Sequence, residues 1–388
     1  MKVLITTDTY LPMINGVVTS ISNLYKQLKE LGHDVRIITL SQKGYDYVDG
    51  DVYYLKSFRL HIYPDARVRR PFNSKLINEI MEWSHDIIHS QTEFTTMIDA
   101  KSIANKLKIP QIHTYHTMYE DYLQYFLKGK IINRPRAAKL IKLLLNSMDR
   151  VIAPTEKVGD ALKEYGVETQ VSIVPTGIDL SKFQKPFSEQ ERNDLREKYG
   201  FNKENKVIMY LGRIAKEKNI EEIIDLFKTS SCEDDNYRLF IVGGGPYLNI
   251  LKDKVNKLNI ENKVAFAGMV SPDKVYKYYK TSDIFVTAST SESQGLTYIE
   301  SLACGCPVLC KYDKCIDGII IDNKTGFTYD NAEEFNNKLK LINKELLHEM
   351  KYNCLEKSNE YSKETFGREV EKIYTELICS KKYVEMAV

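Results

Sequence analysis

No stretch of this chain approaches the ~20 uninterrupted apolar residues that a helix needs to cross a bilayer, so any contact with a membrane is expected to be peripheral. The opening residues Met1 to Tyr10 carry a short apolar run broken by Asp8, without a long apolar region or a small-residue cleavage site. The expectation is that nothing sends the chain for export. Charge of one sign is not in excess either. With 55 Lys and Arg against 53 Asp and Glu, the formal net charge is +2, which disfavours a histone-like or polybasic nucleic-acid binder and leaves any basic face to be found segment by segment. A secreted disulfide framework is also missing. The seven cysteines are odd in number, and the four that cluster, Cys304, Cys306, Cys310 and Cys315, lack a neighbouring histidine and paired C-x-x-C spacing. They read better as small hydrophobes at a helix end that runs into a buried strand than as a metal site.

What is present is a chain of 388 residues with 43% hydrophobic content, too large for one small core and too apolar for disorder, which makes two domains the natural expectation. Val3 to Thr6 reads as a strand, Val18 to Leu31 as a helix stopped by Gly32-His33, and Val35 to Thr39 as the next strand. Further strands are expected at Asp86 to His89, Gln111 to His113, Arg150 to Ala153 and Val171 to Val174. That order opens a doubly wound parallel sheet and closes a first domain at residues 1–174. After the turn Pro175-Thr176-Gly177-Ile178-Asp179 the alternation restarts. Strands are expected at Lys206 to Leu211, Tyr237 to Val242, Val264 to Phe266, Asp283 to Val286 and Pro307 to Leu309, in a second domain over 175–365. From Ala332 onward the pattern is polar and helical, without repeats. The fold class is thus α/β, two Rossmann-like domains facing across a cleft.

Such sheets bind ligands at the carboxyl ends of their strands, so the chemistry is expected in the loops after strands. Asn15-Gly16-Val17 follows the first strand, and Gly243-Gly244-Gly245-Pro246 follows the strand ending at Val242. Each allows backbone N–H groups near a phosphate, and each is equally readable as a plain turn. Gly212-Arg213 through Lys216, Lys218 and Asn219 puts one arginine and two lysines directly after a strand. A planar fork and a compact ammonium suit a diphosphate without a metal, and a solvated charge run is the competing reading. Glu292 and Glu300 lie eight residues apart around Gln294, Gly295 and Leu296. That is a little over two helical turns, so the carboxylates need not share a face and are expected to touch different parts of one ligand; a capping role is the alternative.

Taken together, Glu292 and Glu300 as an E-x7-E pair, Gly212-Arg213, Lys218, Pro175 to Asp179 and Gly16 resemble the retaining glycosyltransferases of family 4, which have the two-Rossmann-domain (GT-B) fold. The resemblance spans essentially the whole chain, with Thr176 where many relatives have asparagine, a change a turn residue tolerates. His89-Ser90-Gln91-Thr92-Glu93-Phe94 and His113 to Tyr122 look like the bacterial 1,2-diacylglycerol 3-glucosyltransferases. The resemblance implies that Arg213 and Lys218 hold the donor diphosphate, Glu300 the ribose, and Glu292 with the backbone of Gln294, Gly295 and Leu296 the sugar. Gly16 and Val17 would lie on the phosphate side, Gly244 would belong to the donor site, and His116 would meet the donor sugar. His116, Glu292, Arg213 and Lys218 are then the expected catalytic set, with UDP-glucose as donor and 1,2-diacylglycerol as acceptor. A terminal helix, 366–388, would return to the first domain. Without an Asp-x-Asp motif near the donor loops, no divalent metal is expected.

The acceptor is addressed by charge distribution. Between Asp121 and Asp149 there is no acidic residue, while Lys128, Lys130, Arg134, Arg136, Lys139 and Lys142 alternate with apolar residues; Arg69 and Arg70 belong to a second basic segment. At about 1 kcal/mol per basic residue near an anionic leaflet, a handful gives reversible docking, here expected on the cytoplasmic face of the cell membrane. An amphipathic helix with its lysines in water, a soluble acceptor, and a non-catalytic lipid-binding scaffold are the alternatives; a nucleic-acid partner is not expected.

Overall fold

Strand β1 (Lys2–Thr6) is buried on both sides, with Val3 and Ile5 on one face and Leu4 on the other, which is the pattern of a strand covered by helices above and below. The computed structural model describes residues 1–59, 67–69, 74–118 and 134–386, with side chains unspecified for 134 and 382–386. The chain divides into two compact units, Met1–Gly177 with Lys363–Val388, and Ile178–Ser362.

In the first unit β1 is followed by α1 (Gly16–Glu30), β2 (Asp34–Ser41), β3 (Tyr47–Asp49), β4 (Val52–Lys56), β5 (Phe58–Arg59), β6 (Arg67–Val68), α2 (Lys75–Glu82), β7 (Ile87–Ser90), α3 (Thr95–Leu107), β8 (Gln111–Thr114), α4 (Arg134–Leu145), β9 (Arg150–Ala153), α5 (Glu156–Glu164) and β10 (Val171–Ile173). The main sheet has the order β10-β9-β8-β7-β1-β2-β4-β3, parallel except for the β3–β4 pair. Val3 and Ile5 pack with Ile21, Leu24 and Leu28 of α1 and with Val370 and Tyr374, whereas Leu4 packs with Ile77 and Ile80 of α2 and Ile103 of α3. Asn15 starts α1, its side chain accepting from Val18 N at 2.9 Å, and Thr155 caps α5 in the same way.

The second unit runs α6 (Glu189–Lys198), β11 (Lys206–Leu211), α7 (Ile220–Glu233), β12 (Tyr237–Val242), α8 (Leu248–Lys257), β13 (Val264–Gly268), α9 (Val275–Thr281), β14 (Ile284–Thr287), α10 (Leu296–Ala303), β15 (Val308–Lys311), β16 (Gly326–Tyr329), α11 (Ala332–Leu341) and α12 (Lys344–Ser358). Its parallel sheet has the order β13-β12-β11-β14-β15-β16. Helix α13 (Lys363–Met386) belongs to the first unit, where Phe366, Val370, Ile373 and Tyr374 enter the core.

Both sheets reverse direction once, the first between β1 and β7 and the second between β11 and β14. Connections leave these two strand pairs in opposite senses, opening a crevice at their carboxyl ends. The expected strands all occur within a residue or two of their anticipated ends, but β3, β4, β5, β6 and β16 lie outside the expected set. In β4 only Tyr53 and Leu55 are buried, so its apolar signal is half that of a central strand, and part of its support is the stacking of Tyr54 on Tyr47 of β3 at 4.4 Å. The four clustered cysteines are free and buried in the core beside α10 and β15. Burial pushes the Cys306 thiol up to about 12, which keeps it protonated and apolar in behaviour.

Candidate functional site

The reversal point of the second unit brings together the loop after β11 and the loop after β14. Lys218 closes a short 3-10 turn, Lys216–Lys218, and its Nζ donates to Glu292 Oε1 at 2.5 Å. Ser289 Oγ donates to the same carboxylate oxygen at 2.8 Å. An ammonium and a carboxylate are thereby held at one point, each partly reachable by solvent. Arg213 stands at the head of the same loop, 47% exposed and paired with the nearly buried Glu217. Its guanidinium is therefore oriented rather than free to sweep.

Two glycine positions explain how these loops come so close. Gly243, after β12, has φ of +133°, and a Cβ there would lie 1.9 Å from the backbone oxygen of Gly212. Backbone atoms cannot move aside as a side-chain tip can, so this position admits only glycine. Gly244 differs, since its Cβ would meet the exposed side chain of Met269 at 2.5 Å. Gly295 caps α10 in the left-handed region, φ +71°, where a Cβ would stand 2.3 Å from the Tyr298 ring. Left-handed Gly295 turns the chain into α10, so that Gln294 is buried just before the helix and Leu296 begins it. One helical turn on, Glu300 accepts from the Tyr279 hydroxyl at 3.2 Å. Burial lifts its carboxyl to about 7, with Tyr279 and Lys182 pulling the other way.

The reversal point of the first unit is built on a half-buried carboxylate. Asp8, after β1, accepts from Thr92 Oγ1 at 2.7 Å, Thr95 Oγ1 at 2.5 Å and the backbone N–H of Thr96 at 3.2 Å. It thus ties the β1 loop to the first turn of α3, where the helix dipole favours an anion. Gly16 and Val17 open α1 beside this loop. His116, past the end of β8, places Nε2 2.7 Å from Gln91 Oε1. Burial, and after it the neighbouring His113, depress its pKa to about 3, so the imidazole is neutral at physiological pH.

The Glycosyltransferase Family 4 profile matches residues 14–182, and the profile described as Glycosyl transferases group 1 matches residues 191–357. The chain is 38% identical to the alpha-monoglucosyldiacylglycerol synthase of Streptococcus pneumoniae over 387 residues, 99% of this chain and 87% of that one. It is 32% identical over 397 residues to the alpha-monoglucosyldiacylglycerol synthase of Acholeplasma laidlawii, covering 97% and 98% of the two. The chain belongs to glycosyltransferase family 4. Among solved structures, Anabaena HepE in complex with UDP matches this family 4 glycosyltransferase with a TM-score of 0.76 at 15% identity, over 97% of this chain and 100% of that one. Sucrose-phosphate synthase from Thermosynechococcus elongatus gives 0.74 at 19% identity, over 98% and 99%. At those identities the likeness carries the fold alone, two Rossmann-like α/β domains of the GT-B class.

Within the glycosyltransferase, the anticipated donor residues Arg213, Lys218, Gly244, Glu292, Gln294, Gly295, Leu296 and Glu300 all fall on the loops after β11, β12 and β14 or on α10. The basic segments fare differently. Arg69 is not a surface residue: it is 6% exposed and its guanidinium pairs with the buried Asp99 at 2.6 Å, because an arginine inside a domain is tolerated only with a carboxylate partner. Lys142 is tied to Glu168 at 2.9 Å. Arg136 and Lys139 are exposed on α4 and Arg134 begins that helix, while Arg70, Lys128 and Lys130 lie outside the described residues. Several partners were not anticipated from the sequence: Asp8, Gln91, Glu217, Ser289 and Tyr279. Ser289, three residues before Glu292, and Glu217, four after Arg213, are local to their partners; Asp8, Gln91 and Tyr279 meet theirs only through the fold. Among the described residues no group of three or more His, Cys, Asp or Glu is placed to hold a metal ion, and no helix is long and apolar enough to cross a membrane.

Proposed function

We propose that this glycosyltransferase moves glucose from UDP-glucose to the 3-hydroxyl of 1,2-diacylglycerol, with retention at the anomeric carbon, producing a membrane glycolipid. The observation that carries the reading is near full-length identity of 38% and 32% to two proteins whose names specify that product class. In this reading the second unit holds the nucleotide sugar and the first receives the acceptor. Glu300 binds the ribose, Arg213 and Lys218 the diphosphate, and Glu292, Gln294, Gly295 and Leu296 the sugar, with Gly16, Val17 and Gly244 in backbone approach to the donor and His116 in contact with the sugar.

The acceptor hydroxyl attacks the anomeric carbon on the face from which the diphosphate departs. The new C–O bond forms as the old one breaks, and the hydroxyl proton passes to the departing diphosphate. Negative charge grows on that leaving group, and Arg213 and Lys218 are held by Glu217 and Glu292 before it arrives, so little reorganisation accompanies the reaction. No covalent nucleophile and no divalent ion enters the scheme.

Docking to an anionic bilayer, at the inner face of the cell membrane, is supported by α4. Ala137, Ile141 and Leu145 are buried on one side, while Arg136, Lys139, Leu140 and Leu143, at spacings of three, four and seven from Arg136, are exposed on the other. Leu143 is 71% exposed. Two leucines beside two cations in water are a poor solvated face and a good interfacial one. The test is transfer from radiolabelled UDP-glucose into chloroform-extractable product, in diacylglycerol micelles with and without phosphatidylglycerol. Organic-phase label that vanishes in Glu292→Ala and Arg213→Ala supports the reading, and loss of the phosphatidylglycerol response in Leu140→Ser/Leu143→Ser supports α4 as the dock. Label confined to a water-soluble acceptor would sink the glycolipid assignment and leave the donor site standing.

A further inference from the structure

Gln91 follows β7 and is fixed by its backbone N–H, which donates to Thr6 O at 2.9 Å. It is 2% exposed, with Oε1 facing His116 Nε2 at 2.7 Å, while its own Nε2 is buried without a hydrogen-bond partner among the described residues. A buried donor left unmade is destabilising, so an apolar residue of similar volume would serve packing better, and the carboxamide calls for another explanation.

The hydrogen-bond directions around it supply one. Ser90 has a single hydroxyl proton, which it donates to the carbonyl of Ile112 at 3.0 Å, so it accepts from His113 Nδ1, also at 3.0 Å. His113 Nε2 faces the Glu93 carboxylate at 3.1 Å, and a carboxylate accepts only. Both ring nitrogens of His113 are therefore engaged, Nδ1 with Ser90 and Nε2 with Glu93, and the ring has no lone pair to offer His116. The neutral His116 has one proton to place. Oε1 of Gln91 opposite Nε2 puts it there, which leaves Nδ1, without a hydrogen bond among the described residues, as a lone-pair acceptor.

We propose that Gln91 is a positioning residue for glycosyl transfer: its carboxamide oxygen holds the proton of His116 on Nε2 and so presents Nδ1 as a hydrogen-bond acceptor to a hydroxyl of the transferred sugar. This rests on the reading in which His116 contacts the sugar. It extends that reading to a residue that touches neither substrate, and it explains why a glutamine is kept at the price of an unpaired donor.

The test combines ring-nitrogen spectroscopy with kinetics across pH. In protein labelled with 15N-histidine, the His116 signals, assigned by their loss in His116→Ala, should show a proton on Nε2 in the parent protein; a proton on Nδ1 there overturns the proposal. Gln91→Leu should lower kcat roughly tenfold, with a smaller change in KM for UDP-glucose. Gln91→Glu keeps an acceptor opposite Nε2 and should recover much of that loss at high pH. Its carboxylate also stabilises the imidazolium, so the acid limb of its kcat profile should move up by about one pH unit or more. The other titratable groups around the ring, His113 with Glu93 and His89 on β7, are unchanged between the two proteins. Wild-type turnover in Gln91→Leu, or an unshifted acid limb in Gln91→Glu, contradicts the assignment. Full activity in His116→Ala instead removes the sugar contact on which it rests, and the spectrum still reports the tautomer separately.

Discussion

Glu300 is a carboxyl whose own ionisation opposes folding, and replacing it with glutamine should stabilise the protein only where it would be charged. Its pKa is lifted from 4.5 to about 7, chiefly by burial. A raised carboxyl contributes stability that is fully present below the unfolded value and lost as pH climbs through the folded one. Glu300→Gln keeps an oxygen to accept the Tyr279 hydroxyl bond, now 3.2 Å, and carries no charge at any pH. The difference between variant and parent should therefore be near zero below about pH 4.5 and reach a ceiling of about 3 kcal/mol above about pH 7.5. That figure is a ceiling because Glu300 retains partial access to water. Even a third of it raises the melting temperature by about 2–4 °C for a domain of this size. Thermal unfolding of ligand-free protein at steps from about pH 5 to pH 8.5 measures it. A constant difference across that range, or a variant less stable than its parent above neutrality, would refute the reasoning. The same substitution should weaken UDP binding, since a carboxylate is the better ribose acceptor. Saturating UDP should then raise the melting temperature of the parent more than that of the variant.

Three further outcomes are expected. Lys218→Met removes the cation paired with Glu292 and should cut kcat by about 10²–10³-fold with little loss of stability; transfer within a factor of about three of the parent would remove Lys218 from the leaving-group site. Gly295→Ala places a Cβ in the left-handed region against the Tyr298 ring, and should cost ~1–2 kcal/mol from the backbone alone and raise KM for UDP-glucose, so unchanged melting and KM would argue against this geometry. In the proposed scheme Arg213 and Lys218 meet the donor charge, so transfer should persist in excess EDTA, and a loss restored by one divalent ion would contradict that scheme.

The central strands were legible because they are buried on both faces and read as continuous apolar runs, as in Lys206 to Leu211 or Tyr237 to Val242. Legibility failed at the sheet margins. There β3 has two exposed residues in three, and β16 is a Gly-Phe-Thr-Tyr segment whose glycine is dictated by the approach of Val308 O, a neighbour 18 positions away that no local pattern reveals. The basic segment around Arg69 failed for a related reason. Local composition reports charge but not whether the charge faces water, and the partner that draws Arg69 inward, Asp99, lies 30 residues on.

The donor motifs show the complementary limit. Sequence spacing located Lys218 and Glu292, but not the fact that they meet, because their loops become neighbours only when β14 is laid beside β11 in the sheet order. Asp8 and the threonines at 92, 95 and 96 repeat the lesson across β1 and β7. In each unit, then, the pair that straddles the reversal point is invisible to periodicity and is fixed by topology. Residues such as Gln91 lie one step further out: what identifies it is not its own contact but an unpaired amide beside a histidine whose proton its oxygen directs.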